Sequence, residues 1–137
     1  MGTRAYIGIQ NENGTVTAIY NQCDGGKENL GHLLKKHFKT EKSVRDLIGL
    51  GFISSLQDME TYEYCKEHFV SFRGNEWTAI DGVSDCMVHL MPRPVVAEEL
   101  DNIEDVFGCM IAHAYLFVPK EAKWYYTQGK GLKPLRA

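Results

Sequence analysis

Apolar and polar positions alternate at the front of the chain: Ala5, Ile7 and Ile9 interleave with Tyr6, Gly8 and Gln10, and Thr15 to Tyr20 is β-branched and aromatic. Between the runs stands Asn13-Gly14, the pair that suits a two-residue hairpin loop because both turn positions take positive φ. Such a loop pairs Ile9 with Ala18 and Ile7 with Tyr20 and places Val16 on the same inward face. Tyr6, Gln10, Thr17, Ile19 and Asn21 then occupy the opposite face. Cys23-Asp24-Gly25-Gly26 ends the second strand. Leu30, Leu33, Leu34 and Phe38 recur at helical spacing with His32, Lys35 and Lys36 outward, so a helix follows, capped by Asp24 or a glycine amide. Thr40 is the expected N-cap of a second helix with Val44, Leu47 and Ile48 inward, and Gly49 and Gly51 stop it. Phe52 to Leu56 reads as extended.

The pattern weakens from Asp58 to Pro94. Tyr62, Tyr64, His68, Val70 and Phe72 suggest strands, and Arg73-Gly74-Asn75 a turn. Trp77 to Ile80 and Met87 to Met91 are further strands, and Pro92-Arg93-Pro94 interrupts any regular element. Val96, Leu100, Ile103, Val106, Phe107 and Met110 fit an amphipathic helix, with Glu98, Glu99, Asp101, Glu104 and Asp105 outside; acidic residues at its start complement the helix dipole. Ala112 to Val118 and Ala122 to Thr127 flank Pro119-Lys120-Glu121 as a closing hairpin, and residues 129–137 form a tail. Strands and helices come in blocks rather than in βαβ alternation. The expected fold is therefore α+β, a single domain over 1–137 with a mainly antiparallel sheet, two helices in the first half and one before the C-terminal hairpin.

Composition narrows this further. A chain of 137 residues can build a core without disulfides or metal, and 44% hydrophobic with 24% charged residues argues against extended disorder. The net charge is −3, and the basic residues are scattered; the densest patch, Lys130, Lys133 and Arg136, is too sparse to track a phosphate backbone, so a nucleic-acid polymer is not an expected partner. A small anion needs only one or two Arg or Lys and stays open. No apolar run reaches the roughly 18 residues of a membrane span, and Met1 to Tyr6 lacks a signal-peptide core. The expected location is cytoplasmic, with the four cysteines as reduced thiols.

Thr3-Arg4-Ala5, Ile7-Gly8, the Asn13-Gly14 turn, Asp24-Gly25, the Gly31 to Phe38 helix and Leu47-Ile48-Gly49-Leu50-Gly51 together resemble a family of small phage and prophage proteins of unassigned activity. Ala114-Tyr115-Leu116-Phe117, Lys123-Trp124-Tyr125 and Lys133-Pro134-Leu135 resemble that family's closing hairpin and tail. The likeness covers about the first 56 and the last 25 residues and not the middle. It implies an owner, a phage acting in the host bacterial cytoplasm, and not a reaction. Relatives commonly place His or an aromatic before the Asp-Gly and Tyr after it; this chain has Cys23 and Gly26 there.

Three chemistries compete. Arg4, Tyr6, Asn21, Asp24 and Lys27 lie on or beside the outward hairpin face and the loop after it, and Gly25-Gly26 offers amides suited to phosphate. Arginine pairs with phosphate and tyrosine stacks on bases, so these five are the candidate ligand-binding residues for a nucleotide-like small molecule. Cys23, beside Asp24 at a strand-to-helix junction with His32 or His37 on the helix beyond, is the candidate nucleophile of a Cys-dependent hydrolase or transferase. Cys65/His68 and Cys86/His89 have the ligand types of a zinc site, but on a strand residues i and i+3 face opposite ways, and buried thiols with surface imidazoles account for the pairs better.

The favoured expectation has no catalytic residue, metal or cofactor. It is a phage accessory protein that counters host defence by stoichiometric sequestration of a nucleotide-derived molecule. The alternative is a protein–protein inhibitor of a host defence or regulatory enzyme, working through the acidic segment or the aromatics Tyr115, Phe117, Trp124, Tyr125 and Tyr126; such an aromatic surface also fits a homo-oligomer.

Overall fold

The computed structural model describes residues 3–68, 76–108 and 110–136. The chain forms an α+β fold around one mixed, mostly antiparallel sheet. Its strands are β1 (Ala5–Gln10), β2 (Val16–Asn21), β3 (Ile53–Asp58), β4 (Trp77–Ile80), β5 (Val83–Leu90), β6 (Glu98–Leu100), β7 (His113–Val118), β8 (Lys123–Thr127) and β9 (Lys133–Pro134). Across the sheet the order is β4-β5-β3-β2-β1-β7-β8-β9, with β6 pairing the first half of β2. The β1–β7 and β2–β3 pairs are parallel.

The front hairpin forms, but its register is one residue away from the sequence expectation. Ile9 faces Thr17 and Ile7 faces Ile19. The loop holds three residues, Glu12-Asn13-Gly14, because the Asn11 amide donates to the Thr15 carbonyl at 2.8 Å and the Gly14 amide to the Asn11 carbonyl at 3.0 Å. Only Gly14, at φ +90°, takes the left-handed conformation. The single-residue slip exchanges the faces of β2. Ile19 and Asn21 join Ala5, Ile7 and Ile9 under the helices, while Val16, Ala18 and Tyr20 join Tyr6 and Gly8.

Both faces of this hairpin are covered. On the first, a π-helical turn (Lys27–Gly31) runs into α1 (His32–His37), followed by α2 (Glu41–Ile48). Thr40 caps α2 in a reciprocal box with Ser43. Leu30, Leu34, Phe38, Val44 and Leu47 close the main core against Ile7, Ile9 and Ile19. A bulge between Ile53 and Ser55 in β3 lets both Ile53 and Leu56 enter the same core.

On the second face lies the segment expected to be a helix over 96–110. It is instead β6 followed by a single 3-10 turn, Ile103–Val106. The cause is β2: it meets β3 only at its last residue, Asn21 opposite Ile53, so Val16 to Ala18 need another partner for their backbone groups, and β6 supplies it. Ile103, 1% exposed, then seats on Val16, Ala18, Ala114 and Leu116. Glu104 fastens the turn, accepting hydrogen bonds from the Thr127 hydroxyl and the Gly131 amide at 2.8 Å each.

The middle also differs. Tyr62, Tyr64 and His68 sit on α3 (Met59–His68), which Asp58 caps by accepting from the Thr61 amide at 2.8 Å. Val70, Phe72 and the Arg73-Gly74-Asn75 turn lie outside the described residues. The closing hairpin forms as expected, and the tail contributes β9 and the buried Leu135. Among the described residues no helix is long and apolar enough to cross a membrane.

Candidate functional site

Folding gathers four cations that the sequence keeps apart. Lys35 lies in the last turn of α1 and Lys39 just beyond its Phe38 cap, Lys123 opens β8, and Arg136 follows β9. All four are exposed around a cleft of about 600 Å³ floored by Phe38, Trp124 and Leu135. The three segments are tied together: the Trp124 Nε1–H donates to the Phe38 carbonyl at 2.8 Å, and the Leu135 amide donates to the Trp124 carbonyl at 2.9 Å. Phe38, Trp124 and Leu135 are each at most 6% exposed, so the floor is part of the main core. Among the described residues no carboxylate lines the cleft, and none of the four cations forms an ion pair with another described residue. Four like charges, uncompensated by any other described residue, at one concave, apolar-floored surface give a positive potential that an anion relieves.

The five residues expected to bind ligand do not converge. Arg4 and Tyr6 share a cleft of about 380 Å³ on the second hairpin face with Tyr20, Phe52, Glu98 and Asp105. Asn21 is fully buried on the other face; its amide donates to the Cys23 carbonyl at 2.8 Å and its Oδ1 has no hydrogen-bond partner among the described residues. Asp24, at φ +57°, accepts from Gln57 Nε2 at 2.7 Å. Lys27 Nζ lies 5.2 Å from the centre of the Tyr126 ring. Gly25 is not a free anion cradle: its amide donates to the Thr3 carbonyl, and a Cβ there would lie 2.7 Å from the Ala5 Cβ. This glycine permits close approach to β1.

Cys23 lacks the environment of an activated nucleophile. Burial, reinforced by the Asp24 carboxylate, pushes its thiol above the ordinary range, opposite to what a thiolate needs. The two C-x-x-H pairs are dispersed: Cys86 is buried in the main core, its pKa pushed up to about 12 chiefly by burial, while His89 stacks on Trp77 and His68 stacks on Tyr64. Among the described residues no group of three or more His, Cys, Asp or Glu is placed to hold a metal ion.

One polar cluster went unread in the sequence. His113 Nδ1 is hydrogen-bonded to the Tyr126 hydroxyl beneath Lys27, and burial holds His113 below and Tyr126 above their ordinary values. The cationic cleft had no local signal: Lys39 lies beyond the end of α1, so its spacing of four from Lys35 is not a helix-face pairing. Nothing local pointed to Lys123 or Arg136. No protein family, curated protein or solved structure matches this chain.

Proposed function

We propose that this protein is a stoichiometric binder of a small polyanion, a nucleotide-derived molecule carrying two or more phosphate charges. The ligand sits in the cleft of Lys35, Lys39, Lys123 and Arg136. The observation that carries this reading is the convergence of four cations from three chain segments on one cleft, with no ion-pair partner and no lining carboxylate among the described residues. Each charge-assisted contact to a phosphate oxygen contributes about 1.5–3 kcal/mol, so two or three hold a small ligand without a dedicated phosphate loop. The apolar floor excludes water beneath the ligand and strengthens those contacts. The resemblance to phage proteins supports a role in host cells, where sequestration of a signalling nucleotide counters a defence response in the cytoplasm.

This reading moves the ligand away from Arg4 and Tyr6, whose cleft carries Glu98 and Asp105 and so disfavours phosphate. The test is thermal unfolding against adenosine mono-, di- and triphosphate, cyclic mono- and dinucleotides and pyrophosphate. A ligand at a hundred times its Kd stabilises by about 2.7 kcal/mol. Polyphosphorylated members should raise Tm, Lys39→Glu with Lys123→Glu should abolish the rise, and Arg4→Ala should leave it intact. A rise that survives the double charge reversal, or no rise with any member, contradicts the reading.

A further inference from the structure

The opposite side of the sheet carries a second surface, independent of the cationic cleft. Tyr6, Tyr20 and Phe52 form a mutually packed trio with ring centroids 5.7–6.0 Å apart, half-buried at the floor of the 380 Å³ cleft. Two segments bonded to residues of this cleft expose further apolar side chains. On one side the Phe52 amide donates to the Val95 carbonyl at 2.7 Å; Val95 and Val96, 52% and 81% exposed, precede the cleft's Glu98 and line a separate cavity of about 170 Å³ with Leu50 and Gly51. On the other, Arg4 Nη1 donates to Met110 Sδ at 3.5 Å, and Met110 is 79% exposed. Three of the six large apolar side chains exposed among the described residues thus stand on segments hydrogen-bonded to residues of this cleft. A run of exposed apolar side chains around a half-buried aromatic floor marks a protein contact surface rather than a solvated one.

Its charge selects the partner. Glu98 and Asp105 line the cleft against Arg4, the single lining cation among the described residues, and neither carboxylate is in an ion pair with another described residue. Glu99 and Asp101 are exposed on the same segment. Phosphate is repelled here. A second copy of this chain is disfavoured as well, because a two-fold contact lays the patch on itself and brings like carboxylates together. We infer that this face docks a partner protein through a segment in which Arg or Lys flanks aliphatic or aromatic side chains. The apolar side chains enter over Tyr6, Tyr20 and Phe52, and the basic ones meet Glu98 and Asp105.

The probe is a fluorescein-labelled dodecapeptide of alternating arginine and leucine, with two controls: glutamate in place of arginine, and serine in place of leucine. Anisotropy titrations of the full chain should show saturable binding of the arginine–leucine peptide, at least tenfold tighter than either control. Affinity should fall severalfold as salt rises from low to above-physiological concentration, through screening. Glu98→Lys with Asp105→Asn should weaken it at least tenfold. Because Asp105 also caps the 3-10 turn, Val96→Ser serves as a second variant: it lies outside regular structure, should leave Tm unchanged, adds no charge, and should weaken the peptide severalfold. Equal binding of the controls, or wild-type affinity in Val96→Ser, overturns the inference. So does a dimer in sedimentation that Val96→Ser dissolves, which assigns the face to a second copy.

Discussion

Gly8 lies beneath Ile103, and this contact decides whether the second hairpin face is sealed. A Cβ built on Gly8 would lie 2.9 Å from Ile103 Cδ1 and 2.9 Å from Val16 Cγ1, closer than carbon atoms pack. Gly8→Ala should therefore destabilise the protein by about 1–3 kcal/mol through overpacking. Ile103→Val removes the Cδ1 methyl and by itself should cost about 0.5–1.5 kcal/mol. In the double variant the new methyl at position 8 takes part of the space that Cδ1 leaves. The combined loss should fall short of the sum by about 0.5–1.5 kcal/mol, the Val16 contact preventing full relief. Urea unfolding monitored by circular dichroism, with equal m-values across the four proteins, gives the cycle directly. Additivity to within about 0.3 kcal/mol would refute the seating of Ile103 over Gly8 and with it the covered second face.

Other outcomes follow from single contacts. Thr40→Ala removes the reciprocal cap of α2 and should lower unfolding free energy by about 1 kcal/mol in urea titration, with Thr40→Ser retaining most of it. Tyr115→Phe strands the buried Gly25 carbonyl, which now accepts from the Tyr115 hydroxyl at 2.7 Å; the expected loss is about 1–3 kcal/mol, and a loss near zero would show that water replaces the hydroxyl. Burial holds His37, His89 and His113 below the ordinary value of 6.5. Between 6.5 and those lowered values the unfolded chain binds more protons, so stability should be full above pH 6.5 and decline as pH falls. A Tm that is unchanged or higher at pH 5.5 than at 7.5 would contradict this.

Strand and helix content was legible wherever one periodicity dominated. Thr40 followed by Val44, Leu47 and Ile48 specified α2, and the Pro119 turn specified the closing hairpin. The front hairpin was legible as a hairpin but not in register, because β2 is apolar on both faces: either alignment buries Ala18 or Ile19, so hydrophobicity could not choose. The loop chose, through Gly14 alone, and Asn13-Gly14 reads the same in a two-residue as in a three-residue turn. The α3 helix escaped because it buries no residue and so has no apolar stripe; Asp58 three positions before Thr61 was its one readable sign. Residues 96–110 carried a helical pattern that lost to a tertiary demand, the unpaired edge of β2. The candidate cleft was illegible for a different reason: Lys35, Lys39, Lys123 and Arg136 become neighbours only when the tail pairs with β8 and Trp124 bonds to the end of α1.

The most direct measurement is a heteronuclear NMR titration of the protein with adenosine diphosphate. Trp124, one of two tryptophans in the chain, donates its indole N–H at the floor of the cleft and reports occupancy without perturbing it. Binding in the cleft predicts saturable shifts of the Trp124 indole and of the Lys39, Lys123 and Leu135 amides, with the Tyr6 and Phe52 amides still. Shifts confined to Tyr6, Tyr20 and Phe52, or none at millimolar ligand, would contradict the account.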